Sequence, residues 1–141
     1  PSSVNLTETL TFTTANLIPA GGSIAIVVNS NWGTTLTAAS VSSGLTAATG
    51  KTLTATLSSS TLTITNFAEV AASTAITVIF TGLLPPTYTS TTGGQTTFID
   101  SITSSITISS TTYNIDIIST QSVAITAANS TGRSTFTTKT T

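Results

Sequence analysis

From Val4 to Thr13 the chain keeps strict time: Val4, Leu6, Glu8, Leu10 and Phe12 fall in one phase, Asn5, Thr7, Thr9, Thr11 and Thr13 in the other. Successive side chains leave a strand on opposite sides, so a period of two puts one face on a core and the other in water. The same rhythm returns at Leu53, Ala55 and Leu57, at Ile76, Val78 and Phe80, and at Val123, Ile125 and Ala127. Leu, Glu, Lys and Arg never gather at the 3.6-residue spacing of a helix. The chain is therefore expected to be all-β, with Thr on the polar side, where a β-branched hydroxyl residue fits the pleat.

Turn chemistry divides the pattern. Pro19-Ala20-Gly21-Gly22 marks a turn before Ser23–Val28, an apolar run expected to be central and covered on both faces or nearly so. Residues 29–33 close it, and 36–50 hold short strands and loops. Residues 51–65 read as a hairpin around Ser58-Ser59-Ser60, and 75–81 as a second central strand with Ile79 on its reverse side, closed by Pro85-Pro86. Gly93-Gly94 precede a strand over 96–102 with Phe98, Asp100 and Ile102 in one phase; separate strands follow over 105–109, 113–117 and 123–127. About nine or ten short strands in one domain predict a two-sheet antiparallel β-sandwich, Ig-like or jelly-roll, completed by its own first strand or by a donated one. The organisation expected is an N-terminal candidate donor strand over 1–13, a sandwich body over 14–128, and a Ser/Thr-rich linker or edge strand over 129–141.

Composition limits the chemistry. Ser and Thr make up 58 of 141 residues, Cys, His and Met are absent, and seven residues carry charge. Without Cys there are no disulfides or thiolate sites, and without His a Ser nucleophile lacks its usual base. The acids are Glu8, Glu69, Asp100 and Asp116, with no loop of metal-binding spacing, so no catalytic residue, metal or cofactor is expected. Gly21-Gly22 and Gly93-Gly94 lack the strand-to-helix setting of a phosphate cradle and read as turn glycines. Lys51, Arg133 and Lys139 are scattered and net charge is −1, which disfavours nucleic acid as a partner. No apolar run approaches the roughly 20 residues of a membrane-spanning helix. Glu8 and Asp100 both fall in an apolar phase, and each calls for a cationic partner such as Lys51 or Arg133.

Charge at 5% is far below the roughly 25% of an ordinary soluble domain. Repulsion cannot keep such particles apart, so a sugar coat, association, or both are expected. Sequons at Asn5-Leu6-Thr7 and Asn129-Ser130-Thr131 make Asn5 and Asn129 candidate sites for N-linked glycans, and the hydroxyls allow O-linked ones. Trp32, Tyr88 and Tyr113 offer rings on which sugars stack, the basis of an alternative reading as a surface adhesin or carbohydrate-binding module. A third reading is a pilin-type subunit with an isopeptide crosslink from Lys51 or Lys139. The opening Pro1-Ser2-Ser3 fits a mature product or one module of a longer chain.

The amphipathic opening strand carries the sharpest expectation. Val4, Leu6, Leu10 and Phe12 either complete their own sheet or lie in the open groove of a neighbour, and a head-to-tail exchange of that kind grows into a filament. The segments LTFTTANLIPAGGSIAIVV (10–28) and LTITNFAEVAASTAITVIFTGLLPP (62–86), with Tyr113-Asn114-Ile115-Asp116, resemble the Ser/Thr-rich sandwich modules of protist surface proteins. The chain also resembles the Ig-like or jelly-roll subunits of extracellular fibrils that donate a terminal strand. That resemblance implies an inert, glycosylated filament of identical subunits, outside the cell or on its surface, with a donor role for Val4, Leu6, Leu10 and Phe12. Glu8, a charge midway along the donor face, departs from the pattern.

Overall fold

Alternation decides which side of each strand is dry. The computed structural model describes residues 6–29, 38–83 and 94–125, with side chains over 7–29, 38–82 and 99–116. Eight strands follow in order: β1 (Leu6–Thr13), β2 (Ser23–Val28), β3 (Ala38–Ser43), β4 (Thr54–Ser58), β5 (Thr61–Thr65), β6 (Ala75–Leu83), β7 (Gly94–Ile108) and β8 (Thr111–Ile125). No helix occurs among the described residues. They form two antiparallel sheets, β1-β6-β3 and β4-β5-β2-β7-β8.

The sheets pack as the sandwich that the pattern predicts. Leu10 and Phe12 of β1 and Ile76, Val78 and Phe80 of β6 meet Ile24, Ile26 and Val28 of β2, Leu62 and Ile64 of β5, and Ile99 and Ile102 of β7 in one core. Burial of this apolar area, at roughly 25 cal/mol per Å², is what holds the layers together. Between strands, hydroxyls pair: Thr11 with Thr77 at 3.1 Å, Ser23 with Ser105 at 3.1 Å, and Thr107 with Thr112 at 3.0 Å.

Two expectations are corrected. β2 is fully buried on one face only: Ile24, Ile26 and Val28 are buried, while Ser23, Ala25 and Val27 are half-buried on the outer face of the five-stranded sheet. The four short strands expected over 96–127 are two long ones, β7 and β8, because bulges reset the phase without ending the pairing. Phe98 and Asp100 are the extra residues on β7, opposite β8 and β2 respectively, and Ile115 is the extra residue on β8. The bulge at Asp100 lets Ile99 and Ile102, three apart, both point inward. Asp100 itself is exposed and accepts a hydrogen bond from Asn29 Nδ2 at 2.7 Å, so it leaves the inward phase that Ile102 keeps, and Arg133, one of the two cations expected to meet it, lies outside the described residues.

The β7–β8 hairpin outruns its neighbours. β2 covers β7 only between Ile99 and Ser105, leaving 106–113 as a two-stranded overhang at one end and 94–98 beyond β2 at the other. We call the first the tip end and the second the base end. The tip turn is Ser109-Ser110, both at positive φ (49° and 67°), the backbone of a type I′ hairpin turn. β1 runs from base to tip, since Phe12 and Thr14 line the same small cavity as Ile24, Ile102, Ser104 and Asp116. Leu6 and Ile125 therefore both lie towards the base end.

Candidate functional site

β1 is an edge strand held on one side. Its register against β6 runs Phe12↔Ile76, Leu10↔Val78 and Glu8↔Phe80, and its other edge pairs with no described strand. Leu10 and Phe12 are 1% and 3% exposed, while Thr7, Thr9, Thr11 and Thr13 stand in water on the outer face. Among the described side chains, Leu10 and Phe12 thus seat the strand. Glu8 keeps the inward phase its position predicts and is half-buried; burial pushes its carboxyl up to about 7, since a charge there has lost part of its hydration.

The chain is bolted down as soon as β1 ends. Thr14 is buried, and its N–H donates to the Thr74 carbonyl at 3.1 Å while its own carbonyl accepts from Ser73 N–H at 2.8 Å. Its hydroxyl donates to the Ala71 carbonyl at 2.8 Å and accepts from Thr74 N–H at 3.0 Å. The next two residues reach the other sheet. Ala15 and Asn16 N–H donate to Asp116 Oδ2 at 3.0 and 3.1 Å, and Asn16 Nδ2 donates to Oδ1 at 2.7 Å. Asp116 is 8% exposed, and its own N–H donates to Ser104 Oγ at 3.0 Å. A buried carboxylate survives because three donors replace the water it lost. Beyond it, Ile18 and Val70 exchange both backbone hydrogen bonds, at 2.9 and 2.8 Å.

Between bolt and core lies a cavity of about 10 Å³, close to the room one water molecule needs, lined by Phe12, Thr14, Ile18, Ile24, Ile102, Ser104 and Asp116. Among the described residues, no three His, Cys, Asp or Glu side chains gather as a metal-binding group.

Of the residues singled out from sequence, Leu10 and Phe12 are brought together on the inner face of β1, and Leu6 starts that strand. Val4, Asn5 and Asn129 lie outside the described residues, as do Trp32, Tyr88, Arg133 and Lys139. Tyr113 stands 54% exposed in the tip overhang, and Lys51 is exposed in the turn before β4. Asp116 is the residue that sequence reasoning missed. Its partners lie about a hundred positions upstream, and the only signal was a carboxylate in a strand with no cation near it in sequence. Comparison with known proteins returns no match to this chain from any protein-family model, curated protein or solved structure.

Proposed function

We propose that this chain is a structural subunit of an extracellular filament in which identical copies are joined by lending β1 to a neighbour. One observation carries the reading. β1 runs along a sheet edge that pairs with no described strand on its far side, and among its described side chains only Leu10 and Phe12 are fully buried, so it can be exchanged for an identical strand. A borrowed β1 restores the same contacts as the original, so exchange costs little at equilibrium and its contacts become intermolecular. Head-to-tail growth asks more: residues 14–22 must unbolt and run along the body. Nine residues extend to about 30 Å, matching the length of a nine-residue strand such as β6.

A surface nearly free of charge suits a permanent assembly, and glycans at the sequons of Asn5 and Asn129 supply the hydration that charge does not. In this reading the chain does no chemistry of its own. The test uses the absence of cysteine. Thr11→Cys with Thr77→Cys replaces a hydroxyl pair 3.1 Å apart by a thiol pair across the β1–β6 seam. Oxidised filaments should then run as a covalent ladder on a non-reducing gel. Crosslinked product found only as monomer would reject strand lending.

A further inference from the structure

We infer that the tip end is a self-association surface that receives the same end of a second copy. Leu17, Ile108 and Tyr113 are the large apolar side chains left exposed among the described residues, at 48%, 56% and 54%. All three belong to one end of the sandwich. Ile108 and Tyr113 stand on the overhang beyond β2, where Tyr113 pairs in register with Ile106. Leu17 lies between Asn16, held on Asp116, and Ile18, in the cavity that Ser104 and Asp116 also line. The most exposed large apolar side chains among the described residues are thus concentrated rather than scattered, which marks a contact surface.

Charge identifies the occupant. Residues 14–24 and 104–115 contain no Asp, Glu, Lys or Arg, and the carboxylate of Asp116 is buried and spent on three donors. Exposed Glu69, next to the Val70 that pairs with Ile18, and exposed Lys51, three residues before β4, stand towards the same end, so its described residues hold one exposed charge of each sign. Such a surface meets its own copy without net repulsion, and the uncharged hairpin overhang offers no complement to a charged partner. The path of β1 points the same way; this step rests on the proposal that β1 is lent. Thr13 leaves the strand at the tip end, and Thr14 to Asn16 are fixed to the lender's own tip end. With those bonds intact, a lent β1 brings the lender's tip end against the borrower's, and reciprocal lending closes a pair about a two-fold axis. The pair is the closed form of the subunit; the filament is the form in which 14–22 has unbolted.

In a two-fold pair a residue near the axis meets its own counterpart, which a cysteine-free chain makes easy to test. Soluble, non-filamentous protein carrying Ile108→Cys is oxidised at low concentration beside Ser58→Cys, an exposed control at the base end. The expected result is a disulfide dimer from Ile108→Cys forming at least about tenfold faster than from Ser58→Cys, the advantage of prior association over random encounter. Mixing the two should give 108–108 and little 108–58 product. Predominance of 108–58 would overturn like-end pairing in favour of head-to-tail contact while leaving strand lending intact, and equal rates for the two single variants would overturn it outright. The Thr11→Cys, Thr77→Cys chain in the same fraction separates the two claims. A 108–108 dimer whose seam link stays within one chain keeps the surface and removes the lending.

Discussion

The hydroxyls of Thr11 and Thr77 meet at 3.1 Å across 66 residues of sequence, and those of Thr107 and Thr112 meet at 3.0 Å across five. Both close an antiparallel ladder, but the ladders are assembled by different means. β7 and β8 are joined by a two-residue turn, so forming their hairpin orders little chain per bond made, and the pairing cannot be handed to another molecule without opening the turn. β1 and β6 are joined only through the body between them. What places β1 is the burial of Leu10 and Phe12, and a groove does not distinguish its own strand from an identical one. In the proposed assembly the non-local ladder is therefore the one to be exchanged and the local hairpin the one that stays.

Removing the anchor should break this contrast most strongly. Phe12→Ala is expected to cost about 3–5 kcal/mol by deleting a buried ring from the core. Hydrogen exchange should accelerate first at β1 and β6 amides, with the part of the β7–β8 ladder that β2 covers, 101–104, protected longest; uniform acceleration would show that the two ladders open together.

Glu8 sharpens the comparison by a smaller step. Below its ordinary value of 4.5 the carboxyl is neutral folded or unfolded; between 4.5 and about 7 only the folded form holds the proton, so stability falls as pH rises through that window. Half-exposure limits the loss to on the order of 1 kcal/mol. The urea midpoint should be lower at about pH 8 than at about pH 5, and Glu8→Gln should remove most of that difference.

The smallest effect concerns the hairpin alone. Ser109→Asn with Ser110→Gly gives the positive-φ turn residues that prefer it, and a gain of about 1 kcal/mol in global stability is expected. The yield of the Thr11–Thr77 crosslink should not change. A changed yield would mean that tip and exchange seam are coupled.

How much of this was legible from the residues follows from what each pattern depends on. β1, the β4–β5 hairpin and β6 were readable because an unbroken period of two is a local property, and their described inner faces are those that the alternation assigns, except that Ala55 of β4 is exposed. β7 and β8 were not, because a bulge inserts a residue that the partner strand defines. Asp100 looked like a core position only while Phe98 and Ile102 were counted in a single phase. The anchors Leu10 and Phe12 were found by phase, whereas the bolt was invisible. Asp116 matters through Ala15 and Asn16, and no spacing rule links residues a hundred positions apart.

The seams closed by Thr11 with Thr77, Ser23 with Ser105 and Thr107 with Thr112 have one last consequence. Neutral hydroxyl pairs carry no net charge for dissolved ions to screen. In the proposed filament the lent seam, closed by Thr11 and Thr77, should hold equally well in fresh water and in brine.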